Sequence, residues 1–305
     1  MGAVGEYALT SAPATAPAAS WQWRDYVTLT KPRIMSLLVL TAACAMIGAS
    51  GGDPSVVRLL ALVVGGGLAC GSASALNHVL DRDIDQVMGE RTASRPVASG
   101  RVSPRSAVLF AAVLAILSFV LMLTLDNLLA ALLALAGGTF YVVVYTLGLK
   151  RRTSENIVIG GAAGAFPVLS GWAAANGHLS AGAWWLFVIV LVWTPPHFWS
   201  LAVLLEDHYR AANVPMLPVV KGLRTTARRV LLYTLLTLAV TLAPGITGTF
   251  GPVYIAFAAL LGAIFLALAW RLWRSPSRER AAVTFHYSLL YLALLFVGVA
   301  VSAAL

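Results

Sequence analysis

Charged residues are scarce in this sequence. Asp, Glu, Lys and Arg make up 11% of its 305 residues, whereas 59% are hydrophobic and the mean hydropathy is +0.84. Soluble domains carry about 25% charged residues, so the composition excludes an ordinary soluble protein and predicts a polytopic membrane protein. The net charge of +9 does not indicate nucleic-acid binding, because the basic residues lie in short segments between apolar runs.

Cysteines and several familiar catalytic motifs are also scarce or missing. The two cysteines, Cys44 and Cys70, lie inside apolar runs, so neither a disulfide nor a thiolate metal site is expected. The sequence has no dinucleotide-binding glycine motif on a strand–helix unit, no P-loop, no hydrolase serine elbow and no zinc spacing. Residues 1–20 contain no Lys or Arg, which argues against a signal peptide. Their Ala, Pro and Ser content predicts a disordered tail, leaving 21–305 as a single domain.

Long apolar runs are the most abundant feature of the sequence. Each is long enough, or nearly so, to cross a hydrocarbon core of about 30 Å. They cover residues 34–50, 56–79, 106–124, 127–147, 156–175, 182–204, 230–249, 252–272 and 283–304. The pattern predicts an all-α protein with about nine transmembrane helices. Before the first run, Trp21, Trp23 and Tyr26 indicate a helix lying at the membrane interface.

The basic residues are distributed very unevenly between the two sides of these runs. The segment before the first run and the loops after runs two, four, six and eight hold 20 of the 21 Lys and Arg residues, and the opposite loops hold only Arg58. By the positive-inside rule, the N-terminus and these loops are cytoplasmic, and the C-terminus lies outside. The two longest cytoplasmic loops also hold six of the twelve acidic residues, which topology does not require.

The first of these loops begins with N-H-V-L-D-R-D-I-D at 77–85. Asn77, Asp81 and Asp85 are spaced so that they share one arc of a helix, whereas Asp83 lies off that arc. Two carboxylates and an amide form an oxygen-rich site suited to Mg²⁺, which accepts substrate phosphates as further ligands. The alternative is a helix end that passes into a solvated charged loop.

The second loop follows W-T-P-P-H-F-W-S at 193–200. Pro195 and Pro196 should break or kink the helix and free carbonyls that need partners. His197 could ligate a haem iron, act as a base or bind a substrate carboxylate, although a histidine in such surroundings is often only a packing residue. Glu206 and Asp207 come later, near the cytoplasmic surface, where they could form a second Mg²⁺ site facing the first.

Basic residues near both acidic clusters favour phosphate binding. Arg91 and Arg95 are four residues apart, and a guanidinium group matches a pair of phosphate oxygens. Lys150 directly follows the fourth run, and Arg151 and Arg152 after it are typical of membrane anchoring. Acidic clusters with Mg²⁺ and interspersed cations would stabilise a diphosphate leaving group. The chemistry inferred is the ionisation of a lipid diphosphate at the inner face of the membrane.

At these residues the sequence resembles the UbiA superfamily of intramembrane prenyltransferases, and within it the branch that farnesylates haem. The superfamily motif is the N-x-x-x-D-x-x-x-D at 77–85. The narrower motifs are L-T-K-P-R at 29–33, R-T-x-x-R-P at 91–96, L-K-R-R-T at 149–153, N-I-V-I-G-G-A-A-G-A-F-P at 156–167, T-P-P-H-F-W at 194–199 and P-M-L-P-V-V at 215–220.

The resemblance implies a helical bundle around a central cavity, with cytoplasmic loops capping the active site. It implies Mg²⁺ as cofactor and farnesyl diphosphate and haem B as substrates, joined at the haem 2-vinyl group with addition of water to give haem O and diphosphate. A haem A synthase or oxidase-assembly protein is a further partner of this branch, in the bacterial cytoplasmic membrane. The site residues implied are Asn77, Asp81, Asp85, Glu206 and Asp207 for metal, and Arg91, Arg95, Lys150, His197, Tyr209 and His78 for substrate.

One position departs from the family pattern. The family has an acid directly before the tyrosine of the second loop, and here His208 precedes Tyr209, with Asp207 one residue earlier. An aromatic-acid or quinone-precursor prenyltransferase is the nearest alternative, but it should lack T-P-P-H-F-W and R-T-x-x-R-P. A transporter should carry broken segments in both halves, and a haem-delivery protein would give no reason for Asp81 and Asp85.

Overall fold

The computed structural model describes residues 22–305, so the predicted tail at 1–20 lies outside the described residues. Within residues 22–305 every regular element is helical. The helices are α1 (Trp23–Thr30), α2 (Pro32–Ala49), α3 (Val56–Leu80), α4 (Arg82–Val87), α5 (Glu90–Ala93), α6 (Pro104–Leu125), α7 (Leu128–Thr139, continued by a π-helix at Phe140–Leu149), α8 (Asn156–Gly160), α9 (Ala162–Asn176), α10 (Ala181–Leu204), α11 (Glu206–Ala211), α12 (Leu217–Ile246), α13 (Pro252–Arg274) and α14 (Arg278–Ala304).

Nine segments of the described chain are long and apolar enough to cross a membrane. They are α2, α3, α6, α7 with its π-helix, α8 with α9, α10, α12, α13 and α14. The prediction of an all-α integral membrane protein with nine spans is confirmed. The short helices α4, α5 and α11 lie in the two loops that hold six of the twelve acidic residues.

The spans pack as a bundle whose closest approaches need small residues. Helix α2 packs against α9, and α10 packs against α12 and α14. A Cβ atom at Gly171 of α9 would stand 2.0 Å from the carbonyl oxygen of Ala42 in α2. Only glycine permits the two backbones to come this close, as is common between membrane helices.

Helix α1 is attached to the bundle, although Trp23 at its start is 60% exposed. Its Leu29 is buried, and the Leu29 carbonyl accepts a hydrogen bond of 2.7 Å from the Ser74 hydroxyl. Asp25 accepts a hydrogen bond of 3.0 Å from Arg101 in the loop before α6. Helix α1 therefore also connects that loop to α3.

Two helices differ in detail from the expectation. The helix that contains the seventh apolar run starts earlier than residue 230, at Leu217, and carries its cationic residues on an extension interrupted at Gly222, where φ is 74°. At Pro195 and Pro196, where the sequence predicts a break or a kink, α10 continues as one helix. Pro196 cannot bond the carbonyl of Val192. The Thr237 hydroxyl of α12 lies 3.1 Å from that oxygen and 2.7 Å from the Tyr233 carbonyl of its own helix, so it is shared between the two acceptors.

Candidate active site

The site is built where α3 ends. Asp81 has φ −95° and ψ 10°, which stops α3 and starts α4, so the predicted single helix through Asp85 is interrupted. The backbone nevertheless keeps its spacing, because the Asp81 amide donates to Asn77 at 2.9 Å and the Asp85 amide donates to Asp81 at 2.8 Å. All three side chains are brought together and are at most 3% exposed. Asp83 lies apart, 67% exposed and paired with Arg151.

Three cations surround this acidic group. Lys31 donates to the Asn77 amide oxygen at 2.8 Å, Lys150 is paired with Asp81 Oδ2, and Arg95 is paired with Asp85 Oδ1. The Asn77 amide donates to Asp81 Oδ2 at 2.7 Å. Burial raises the pKa of Asp85, although Arg95 acts in the opposite direction.

The two buried carboxylates of this group are only partly satisfied by hydrogen bonds. Among the described residues, Asp81 Oδ1 and Asp85 Oδ2 are buried and have no hydrogen-bond partner. Buried polar atoms without partners are rare and call for an explanation. Mg²⁺ usually binds to one or two carboxylate oxygens of a protein and fills its other coordination positions with water and phosphate oxygens. The residues present therefore fit a bound Mg²⁺.

Lys31 is a site residue for which sequence reasoning found no chemical role. It links α1 to α2 in a left-handed conformation with φ 52°, which non-glycine residues adopt only occasionally. Burial, together with the charges of Arg95 and Lys150, lowers the pKa of Lys31 to about 7. The L-T-K-P-R motif at 29–33 could have pointed to Lys31, but a lysine at this position is equally typical of membrane anchoring.

The π-helix at Phe140–Leu149 forms the opposite wall. Its i→i+5 bonding is shown by the Lys150 amide, which donates to the Tyr145 carbonyl at 2.8 Å. The Thr146 hydroxyl also donates to the Tyr141 carbonyl, at 2.9 Å. Thr146 also accepts a hydrogen bond of 3.3 Å from the Asn77 amide. π-Helical turns are rare and concentrate at functional sites. Here they place Thr146 and Lys150 against Asn77 and Asp81.

An apolar cavity of about 270 Å³ opens beside these polar residues. Lys31 lines it, together with Tyr141 and Tyr145, whose rings stack at 5.6 Å between centroids. The rest of its wall comes from α1, α2, α3, α7, α8, α9 and the second half of α10, and is made mostly of aliphatic and glycine residues. The predicted cavity is thus present, and the polar group stands at the end where Lys31 lines it.

The second loop reaches the first loop, but its acids point elsewhere. The ring of His208 lies against Gly89, where an added Cβ would come within 2.8 Å. Tyr209 is buried, and burial raises its pKa to about 12. Glu206 is paired with Arg210 in its own helix, and Asp207 is 70% exposed and paired with Arg278. The predicted second metal pair is therefore held by arginines in this structure, and its metal role stays a prediction.

Two other predicted residues lie away from the acidic group. Arg91 is exposed. His197 stacks between Trp193 and Phe285, at 4.4 and 5.0 Å between ring centroids. Its Nδ1 lies 2.7 Å from the Ser288 hydroxyl. The described cavity is lined by its neighbours in α10 and not by His197 itself, so these contacts favour packing.

His78 follows Asn77 in α3 and is 1% exposed. Within the described chain neither of its ring nitrogens has a hydrogen-bond partner. Its predicted role in substrate binding stays a prediction.

Comparison with known proteins assigns this arrangement to a family. A model of the UbiA prenyltransferase family matches residues 38–298. The chain belongs to this family. The match covers most of α2 and of α14 and all of the seven spans between them, so it includes most of the residues that line the cavity.

Curated relatives of high similarity share one description, protoheme IX farnesyltransferase. The Gloeobacter violaceus protein is 48% identical over 98% of this chain and 98% of its own length. The Trichodesmium erythraeum protein is 49% identical over 90% of this chain and 84% of its own. A Thermus thermophilus protein is 52% identical over 92% of this chain, which spans only 46% of that longer relative.

Solved structures of more distant proteins share the fold. A digeranylgeranylglyceryl phosphate synthase superposes with a TM-score of 0.75 at 19% identity, over 92% of this chain and 98% of the other. A UbiA homolog from Archaeoglobus fulgidus, bound to GPP and Mg²⁺, superposes with a TM-score of 0.65 at 15% identity, over 90% and 99%. The family fold is therefore shared across large sequence distances.

Proposed function

We propose that this protein transfers a farnesyl group from farnesyl diphosphate to the 2-vinyl group of haem B, with addition of water, and releases haem O and diphosphate. The observation that carries the proposal is the polar group at the mouth of the apolar cavity. It offers two unpartnered carboxylate oxygens, Asp81 Oδ1 and Asp85 Oδ2, beside three cations. A prenyl diphosphate needs a polar site with cations for its diphosphate and an apolar cavity for its hydrocarbon tail.

The residues of the site would hold the diphosphate as follows. Asn77, Asp81 and Asp85 would hold Mg²⁺, whose charge offsets that of the diphosphate as it departs. Lys31 and Lys150, now bonded to Asn77 and Asp81, are placed to turn toward phosphate oxygens. Donors aimed at the developing negative charge of a leaving group lower the barrier more than donors that only bind substrate.

The bond that breaks is the one between the first prenyl carbon and the diphosphate oxygen, which keeps the electron pair. The resulting allylic cation would form beside Tyr141 and Tyr145, whose ring faces attract cations. The vinyl carbon of haem would attack it, and water would add to the porphyrin-side cation with loss of a proton. The apolar wall excludes other water, which would otherwise quench the first cation.

Haem as the acceptor is supported by the shared description of the curated relatives and by the T-P-P-H-F-W and R-T-x-x-R-P motifs. An aromatic-acid or quinone-precursor acceptor is the alternative, because the diphosphate site would be the same. The distribution of Lys and Arg supports a bacterial cytoplasmic membrane location with the site on the cytoplasmic side. A haem A synthase would be a suitable partner, since it would receive the product.

The test is an assay of the purified protein in detergent with haem B, farnesyl diphosphate and Mg²⁺, with and without EDTA. Mass spectrometry should show haem heavier by one farnesyl group and one hydroxyl group, and EDTA should abolish that species. Unchanged haem together with prenyl transfer to an aromatic acceptor would overturn the haem assignment. Full activity in EDTA would overturn the metal assignment.

A further inference from the structure

Three arginines near the arginine-rich ends of α12 and α13 are not paired with any acid of the described chain. Arg224 and Arg228 lie one turn apart on α12, and Arg274 ends α13. All three are exposed. Within residues 22–305, seven other Lys and Arg residues form salt bridges with carboxylates, whereas these three form none. Their charge is therefore available to a ligand from outside the chain.

Two close contacts fix the register of α12 against α13. A Cβ added to Gly262 would come within 2.3 Å of Leu238, and a Cβ added to Gly245 would come within 2.3 Å of Ile255. From the first contact to the second, the chain advances seven residues along α12 and goes back seven along α13. The two helices are therefore antiparallel and rise in step.

This register brings the three arginines to one height. Continued for twelve residues from the first contact, it places Arg274 level with Thr226, which stands midway between Arg224 and Arg228. At 1.5 Å per residue, Arg224 and Arg228 are each about 3 Å from that height along the helix axis. The three side chains therefore start at nearly the same depth.

The arginines also face the same side of the helix pair. At 100° per residue, Arg224 and Arg228 stand about 40° and 80° around α12 from Leu238, which faces α13. Arg274 stands about 120° around α13 from Gly262, which faces α12. Because the helices are antiparallel, the same sense of rotation along each chain leads to the same side of the pair. One ligand can therefore meet all three guanidinium groups.

This side of the helix pair continues into the apolar part of the spans. Trp270 lies on it by the same count, one turn deeper than Arg274, and is 50% exposed. The Trp270 ring packs on that of Trp273, at 4.9 Å between centroids. Ala259 and Ala263 follow on the same side and are exposed. An anionic group held at the arginines would thus stand above an interfacial aromatic ring and a surface of small apolar side chains.

We propose that Arg224, Arg228 and Arg274 bind the phosphate of an anionic phospholipid whose acyl chains lie along Trp270 and the alanines below it. A guanidinium group matches a pair of phosphate oxygens. Basic residues between spans at the predicted cytoplasmic side are suited to anionic headgroups. A soluble acidic partner would use the arginines but not the apolar surface below them. The inference goes beyond the proposed function and does not depend on it.

Arg271 provides a matched control for Arg274. It is exposed on the same helix, but it stands about 180° around α13 from Gly262 and so faces away from α12. Arg105, at the start of α6, is likewise exposed. Neither Arg105 nor Arg271 forms a salt bridge in the described chain. Arg228→Gln/Arg274→Gln and Arg105→Gln/Arg271→Gln therefore remove the same charge, and only the first pair changes the proposed site.

The experiment measures lipid binding to the full-length protein in detergent by native mass spectrometry, using phosphatidylglycerol and phosphatidylcholine with the same acyl chains. Wild type and the Arg105/Arg271 variant should bind phosphatidylglycerol with the same Kd within about twofold, and more tightly than phosphatidylcholine. The Arg228/Arg274 variant should bind phosphatidylglycerol about tenfold or more weakly. Inorganic phosphate should not displace the lipid, because it has no acyl chains to occupy the apolar surface.

Other results would overturn the assignment. Equal losses in the two double variants would show that the lipid responds only to net charge, and unchanged binding in the Arg228/Arg274 variant would show that these arginines do not hold it. Displacement by inorganic phosphate would show that a free anion is the ligand. If the Arg228/Arg274 variant did not fold, Arg274→Gln measured against Arg271→Gln would give the same comparison.

Discussion

Asp81 and Asp83 are two residues apart and have opposite surroundings. Asp81 is buried with one unpartnered oxygen, whereas Asp83 is exposed and its hydrogen bond from Arg151 lowers its pKa to about 2. We expect Asp81→Asn to lower kcat/KM for farnesyl diphosphate by about 100-fold or more, because it removes a carboxylate that would hold Mg²⁺, whose charge offsets that of the leaving diphosphate. Steady-state kinetics at saturating haem would measure this.

Asp83→Asn is the matched control for that substitution. It also removes one carboxylate from the same loop, yet we expect its kcat/KM to stay within about threefold of wild type, since exposed ion pairs contribute little. Equal losses in the two variants would mean that the loop as a whole, rather than the buried carboxylate, supports turnover. Melting temperatures of both variants would show whether either loss comes from unfolding.

A partly buried acid lies at the opposite end of the spans, where Asp126 ends α6. Within the described chain its two carboxylate oxygens have no hydrogen-bond partner, and burial raises its pKa to about 6, with Arg58 opposing. The folded state then holds this proton more tightly than the unfolded state does. Stability contributed by protonated Asp126 is present below about pH 4 and lost as the pH rises toward about 6.

Asp126→Asn should therefore stabilise the protein at about pH 7.5 by about 1 kcal/mol, a figure reduced for the partial exposure of the side chain. At about pH 4 the variant and wild type should unfold at similar temperatures. Thermal unfolding in detergent at the two pH values would measure both differences. A gain in stability that was the same at both pH values would show that charge is not its cause.

The residues of the site could be predicted where sequence spacing alone brings them together. Asn77, Asp81 and Asp85 are neighbours through the backbone, so their convergence did not depend on the tertiary fold. Lys31 reaches Asn77 from 46 residues away, and only the packing of α1 and α2 against α3 reveals that contact. The pairing of Asp207 with Arg278 is likewise a tertiary contact that no local pattern indicates.

At the scale of the helix, the proline pair of α10 shows how a neighbouring element overrides a local rule. The Val192 carbonyl left unbonded by Pro196 accepts from Thr237 of α12. We expect Thr237→Val to destabilise the protein by about 0.6 kcal/mol, the average for hydrogen bonds between membrane helices. The Thr237 hydroxyl also lies 2.7 Å from the Tyr233 carbonyl of its own helix. Thr234→Val is therefore the control, because it removes only an intrahelical hydrogen bond of this kind, from Thr234 to Val230 at 2.8 Å.

Unfolding of the two variants in detergent would measure this difference. If Thr234→Val proved as damaging as Thr237→Val, the loss would reflect side-chain packing and not the freed carbonyl of α10. A proline in a sequence indicates only which backbone hydrogen bond of the helix is missing. Whether a helix breaks there depends on a partner that the sequence places 45 residues later.

The π-helix at Phe140–Leu149 could not be predicted for a related reason. Its apolar residues satisfy the hydropathy of any membrane helix, so composition does not distinguish i→i+5 from i→i+4 bonding. The added residue in each turn rotates Thr146 and Lys150 toward Asn77 and Asp81. The π-helical bonding thus goes together with tertiary side-chain contacts, of Thr146 with Asn77 and of Lys150 with Asp81, which hydropathy does not indicate.

For the whole molecule, hydropathy was sufficient to predict the nine spans, because each must satisfy its backbone hydrogen bonds within the bilayer. The span count places the ends of successive helices on alternate sides. The loop that follows α12 and the loop that follows α13 should therefore face opposite compartments. Both contain an exposed residue that a reagent can reach, Thr247 and Ser275.

This topology can be tested after both native cysteines are replaced by alanine. We expect Thr247→Cys to react with a membrane-impermeant maleimide in sealed right-side-out vesicles, and Ser275→Cys to react only in inverted ones. The reason is that Arg271, Arg274 and Arg278 surround Ser275, whereas the loop at Thr247 has no Lys or Arg. The reverse labelling would place the loops bearing Asp81 and Asp85 outside the cell and overturn the cytoplasmic assignment of the active site.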